Sequence, residues 1–155
     1  MLKILPAAAQ DLEDVRTLFG EYSRLVADAL CFQNFDQELE ALPGLYAPPG
    51  GVLLIARDGE AAAGCVALRQ LDAGSGEMKR MYVRDAYRGS GLGRRLALAV
   101  IEEARSRKYA SARCSTRWTR GFDSFPAPAF QLRAARENQK TLSSKQTAPG
   151  VGDAR

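Results

Sequence analysis

The sequence contains no histidine. A Ser-His-Asp or Cys-His hydrolase and a histidine metal centre are therefore excluded, and acid-base chemistry must run through carboxylates, tyrosine, cysteine, lysine or water. Cysteine is scarce as well. Cys31, Cys65 and Cys114 are odd in number and far apart, which argues against a disulfide framework and a zinc site and leaves them as small core residues. No apolar run approaches the roughly 20 residues that cross a bilayer, and the opening "MLKILPAAAQ" lacks the apolar core of a secretion signal. The expectation is a cytoplasmic protein with neither metal nor membrane partner.

The last third lacks two further things. Residues 110–155 hold only Leu132, Leu142 and Val151 among branched aliphatics, and no tyrosine follows Tyr109. So little apolar material can hardly supply core strands, and at most one strand is expected there. Charge is uneven too: residues 1–109 carry 14 basic against 15 acidic side chains, and residues 110–155 carry 8 against 3. The net charge of +4 thus belongs to the tail. Basic residues bind phosphate backbones without specificity, but no aromatic-basic strand module accompanies them, which argues against a nucleic-acid partner. At 155 residues the chain has one domain's length, read here as a core over 2–109 followed by a divergent basic tail over 110–155.

Within the core, Leu2 to Leu5 reads as a first strand ended by Pro6. From Asp11 the apolar positions Leu12, Val15, Leu18, Phe19, Tyr22, Leu25, Val26 and Ala29 recur every three or four residues, predicting an amphipathic helix with Gln10 or Asp11 at its N-cap. A short helix over Phe35 to Leu42 precedes "PGLYAPPGG", where prolines and glycines break regular structure. "GVLLIARDGEAAAGCVALRQLD" reads as a hairpin turning at Asp58-Gly59, and "AGSG" turns the chain again into a third strand, "EMKRMYV". A last helix follows "RDAYRGSGLG", with Leu92, Leu96, Ala97, Val100, Ile101 and Ala104 on its apolar face and its end near Lys108.

Gly89, Gly91 and Gly93 therefore stand at a strand-to-helix junction. A helix N-terminus presents unpaired N–H groups and the positive end of the macrodipole, so it binds phosphate where the backbone can come close. A Walker loop is absent, and a G-x-G-x-x-G fingerprint fails because its third glycine falls on Arg94 or Leu96. What remains is Arg88-Gly89-Ser90-Gly91-Leu92-Gly93, with a strand before it and an amphipathic helix behind it.

This stretch resembles the acetyl-CoA motif R/Q-x-x-G-x-G/A of the GNAT N-acetyltransferases, and the element order extends the resemblance over roughly residues 2–109. It implies an α/β (α+β) fold with a mixed, mostly antiparallel central sheet flanked by helices, the C-terminal part being atypical or disordered. It also implies acetyl-CoA as donor, with the backbone of Met81, Tyr82 and Val83 along the pantetheine arm and the amides from Arg88 to Arg94 around the pyrophosphate. Arg88 and Arg94 could add charge-assisted bonds.

The implied reaction is direct attack of a primary amine on the thioester, which needs a polarised carbonyl, a base and an acid for the departing thiolate. Glu77, at the start of the motif strand, is the candidate base. The acid in many relatives is a tyrosine on a later helix, and this chain has none. "CSTRWTR" (114–120) suggests a reason. If Ser115 is encoded TCG and the Cys114 codon ends in C, reading from the third base of the Cys114 codon gives Leu, Asp, one of Thr, Ala, Ser or Pro, one of Leu, Met or Val, then Asp. That contains the "LDTL" strand end the family often shows, so a shifted frame beginning near residues 110–114 is expected. The acceptor, a small molecule or a peptide, stays open at this point, as do a homodimer and the alternative of a catalytically inactive acyl-CoA-binding module.

Overall fold

The computed structural model describes residues 1–26, 34–114 and 131–134, the last four by their backbone. Strand β1 (Leu2–Pro6) leads through a turn of 3-10 helix into helix α1 (Leu12–Leu25), whose stripe buries Val15, Leu18, Phe19 and Tyr22. Asp11 is the N-cap of α1, yet its carboxylate does not bond the helix amides. Oδ2 accepts from the Ala8 N–H at 2.8 Å and Oδ1 accepts from Arg57 at 2.6 Å, which ties the entry of the helix to the sheet. Leu25 departs from the expected stripe: it is 62% exposed, since the helix ends there, beyond the apolar cluster its earlier turns cover. Val26 is half-buried, and Ala29 and Cys31 lie outside the described residues.

Helix α2 (Phe35–Glu40) stops short of Leu42, because Pro43 disfavours helical backbone at the residue before it. Strands β2 (Val52–Asp58) and β3 (Ala61–Asp72) form the expected hairpin. Strand β4 (Ser75–Val83) begins two residues before the "EMKRMYV" run. The Asp72 carboxylate accepts from the Gly74 N–H at 2.9 Å and the Ser75 hydroxyl at 2.6 Å, closing the turn early. Helix α3 (Leu92–Ser106) ends just before the expected Lys108 and buries all six residues of its predicted face.

Beyond it the structure departs from the composition. Two four-residue strands, β5 (Ser111–Cys114) and β6 (Gln131–Ala134), follow where at most one was expected. Strand pairing is a backbone interaction, so a segment poor in aliphatics can still dock on an open sheet edge. The rest of the tail, including 115–120, Leu142 and Val151, lies outside the described residues.

The six strands run in chain order across one sheet. β1 to β4 are antiparallel, and the crossover through α3 makes β5 parallel to β4, with β6 parallel to β5. Both faces are covered. Val52, Leu54, Val66, Leu68, Met78 and Met81 pack under α3, while Leu53, Ile55, Cys65 and Ala67 pack under α1 with Phe35 and Tyr46. This double burial explains why β2 reads as a continuous apolar run instead of an alternating one. Cys65 is fully buried, as a core cysteine should be, whereas Cys114 is half-buried.

Candidate functional site

The site is built on the second half of β4. β5 pairs with Ser75 to Met78 and ends at Cys114, so among the described residues no strand lies along Lys79 to Val83 on that side. On the other side the register with β3 slips: Cys65 faces Tyr82 and Ala67 faces Lys79, which sets Arg80 and Met81 against the single residue Val66. This is a β-bulge, and Arg80 takes a positive φ of 56° within it. The extra residue keeps Met78 and Met81 both on the α3 face and leaves Lys79 and Tyr82 on the opposite one. Gly64 lets β3 come close, for a Cβ there would stand 2.5 Å from the Tyr82 carbonyl oxygen.

After Val83 a turn of 3-10 helix, Asp85–Tyr87, carries the chain to the glycine loop. Gly89 and Gly91 have φ of 77° and 79°, and Gly91 is the N-cap of α3. A Cβ at either would meet nothing within 4 Å. The glycines thus supply the left-handed backbone and also leave open space ahead of the helix. The first i to i−4 bond of α3 runs from the Arg95 N–H to the Gly91 carbonyl, so the amides of Leu92, Gly93 and Arg94 precede the helical ladder. Such a cradle fits a pyrophosphate.

Arg88 is engaged within its own loop. Its N–H donates to the Asp85 carbonyl at 3.1 Å, Nε donates to the Val83 carbonyl at 3.1 Å and the guanidinium pairs with Asp85 at 2.8 Å. Arg88 braces the loop, and the cradle begins at Gly89. The Ser90 hydroxyl likewise donates to the Tyr87 carbonyl at 2.6 Å. Met81, Val83 and Leu92 bury their side chains, so only their backbone faces the site, and Arg94 is exposed on the first turn.

Glu77 sits opposite Arg69 on β3 and accepts its Nε–H at 2.6 Å, with a side chain only 13% exposed. Arg69 also lines a cavity of about 380 Å³, together with residues that include Gln37, Glu38, Tyr46, Lys79 and Arg80. Here Arg80, buried at the bulge, donates to both Glu38 oxygens at 3.0 and 2.6 Å, and the Tyr46 hydroxyl donates to Glu38 at 2.6 Å. The Arg80 guanidinium lies 5.0 Å from the Phe35 ring centroid, a cation–π distance. Sequence reasoning passed over this cluster, yet a signal existed: Glu77, Lys79 and Arg80 are charged residues in a strand covered on both faces, where charge must be paired or line a cavity.

Burial pushes the Glu38 carboxyl up, but hydrogen bonds from Arg80 and Tyr46 outweigh it and hold the carboxyl below the ordinary glutamate range. A depressed folded-state pKa stabilises above the unfolded value, and that stability is lost as pH falls through the folded one. Glu38→Ala strands the Arg80 charge and is expected to destabilise by roughly 2–3 kcal/mol, below the 3–5 of a fully buried pair because Glu38 is partly exposed. Glu38→Gln should flatten the stability loss below about pH 4.5. Denaturant unfolding of the three proteins between pH 3 and 7 checks both, and an unchanged midpoint in Glu38→Ala contradicts the clamp.

Among the described residues the second half of the bulged strand β4 has no strand neighbour on the β5 side, and a glycine loop at a helix N-terminus follows it at once, a geometry that can take a long ligand carrying a pyrophosphate. Comparison with known proteins agrees. The sequence matches the Acetyltransferase (GNAT) family over residues 12–120, and the chain belongs to that family. It is 41% identical over 104 residues to an uncharacterized N-acetyltransferase of Schizosaccharomyces pombe, covering 66% of this chain and 64% of that protein. It is 40% identical over 73 residues to one of Dictyostelium discoideum, of which it spans 34%. Among solved structures it is similar to a GNAT-family acetyltransferase of Staphylococcus aureus, with a TM-score of 0.66, 19% identity and coverage of 75% and 73% of the two chains. A GNAT-family acetyltransferase of Brucella melitensis, solved in complex with acetyl-CoA, gives 0.59 at 20% identity, with coverage of 72% and 73%. The fold is thus the one the glycine motif implied. Among the described residues no helix is long and apolar enough to cross a membrane, and no group of three or more acidic, cysteine or histidine side chains could hold a metal.

Proposed function

We propose that the chain transfers an acetyl group from acetyl-CoA to a primary amine by direct attack of the amine. The observation that carries this reading is the open glycine loop at Gly89 to Arg94, placed directly after a stretch of β4 that, among the described residues, has no strand neighbour from Lys79 onward on the β5 side. In it the amides from Gly89 to Arg94 hold the pyrophosphate, and the backbone of Met81, Tyr82 and Val83 pairs with the pantetheine arm. When bound, acetyl-CoA supplies an acetyl group activated as a thioester.

The protein's own work is then to hold the amine nearby and take its proton. Glu77 is the proton acceptor in this reading, directly or through water, and its ion pair with Arg69 must loosen for it to act. No tyrosine after Tyr109 can protonate the departing thiolate, so solvent does so and turnover is slow. Titration calorimetry with acetyl-CoA, followed by thiol release against a panel of amines with mass detection of the acetylated product, tests the reading. Expected are binding and release with at least one amine; binding without release across the panel points to a binding module instead. Glu77→Gln should lower kcat by about 10²–10⁴-fold with KM for acetyl-CoA little changed. A change confined to unfolding stability assigns Glu77 to the Arg69 pair alone.

A further inference from the structure

The cavity beside α2 bears an imbalance of charge that the acetyl donor does not explain. Three cations line it: Arg69, Lys79 and Arg80. Arg69 is matched by Glu77 and Arg80 by Glu38. Lys79 makes no ion pair among the described residues, although it is half-buried at the mouth of the bulge. Burial and then the Arg69 charge pull the Lys79 ammonium below its ordinary pKa, with Glu77 opposing. Among the described residues Lys79 is thus the one lining cation with no carboxylate in an ion pair, in a setting that penalises its charge.

Resting on the acetyltransferase reading, we infer that this cavity takes the acceptor and that the acceptor is a small amine bearing a carboxylate, of the free amino acid type. Lys79 supplies the counter-charge, and Arg69, with guanidinium donors beyond those that reach Glu77, flanks it. Volume sets the size class: about 380 Å³ lies at the low end of small-molecule sites, which suits a single residue better than a peptide. Gln37 and the partly exposed Glu38 are on the same wall, where an amide and a carboxylate can orient an ammonium group before it is deprotonated. Charge-assisted bonds between a partly desolvated lysine and a carboxylate are among the stronger polar contacts.

The test separates this inference from the activity it rests on. Binding of N-acetyl amino acids and of the corresponding N-acetyl amino acid amides is followed by ligand-detected NMR on wild type, Lys79→Met and Lys79→Arg, with no turnover required. Expected is binding of at least one carboxylate, weakening by about tenfold or more for its amide and in Lys79→Met, and retained in Lys79→Arg. Equal binding of carboxylate and amide to wild type overturns the inference, and that comparison does not depend on any variant folding. Unchanged carboxylate binding in Lys79→Met, or stronger binding of a hexapeptide than of any single residue, overturns it too. Thiol release that occurs with uncharged amines as readily as with amino acids sinks the substrate class while leaving the acetyltransferase standing. Failure to bind acetyl-CoA with carboxylate binding intact sinks the acetyltransferase reading and retains the cavity's ligand.

Discussion

Gly91→Val is expected to weaken acetyl-CoA binding by on the order of 100-fold, because the pyrophosphate contributes several charge-assisted bonds at the head of α3. Two causes add in this variant. Valine at a φ of 79° is strained by roughly 1–2 kcal/mol, and its branches stand in the space left open before the helix. Gly91→Asn separates them, since asparagine tolerates the left-handed region while still placing a side chain in that space. Titration calorimetry should find both variants weak, and denaturant unfolding should find Gly91→Asn nearer to wild type than Gly91→Val. Wild-type affinity in a folded Gly91→Asn protein reduces the glycines to turn formers and removes the cradle.

Restoring the reading frame by a single-base change just before Cys114 is expected to raise thiol release by about 10²–10⁴-fold, the usual contribution of a general acid. The reasoning joins three observations. Tyrosine is absent after Tyr109, branched aliphatics nearly vanish after residue 110, and the family match stops at residue 120, just past Cys114. The cradle and the bulge lie before the point of the shift and are untouched by it, so acetyl-CoA binding should change far less than turnover. The corrected protein should also gain an apolar C-terminal segment and a sharper unfolding transition. An early stop codon, or an equally apolar-poor product, makes the present tail the native one.

The sequence alone was enough for the architecture up to residue 109, for reasons visible in particular elements. Leu92, Leu96, Val100 and Ala104 recur at the helical period because α3 has one face on the sheet, and the Asp58-Gly59 turn stands between two strands that pair as a hairpin. Gly89 and Gly91 were legible because positive φ and open space both leave the same mark, a missing side chain. Tertiary structure alone decided the rest. Whether Arg88 reaches a ligand or its own loop depends on where Asp85 and the Val83 carbonyl lie. The bulge at Arg80 arises from the register of β4 against β3, which no local pattern encodes, and the Arg80 guanidinium there reaches Glu38 on α2. The Arg80–Glu38 clamp spans 42 positions of sequence, and the Glu77–Arg69 pair exists only because two strands align. Local periodicity reports which face of an element is buried; the partners of a buried charge are set by packing between segments far apart in the chain, and that is where the cavity beside α2 was formed.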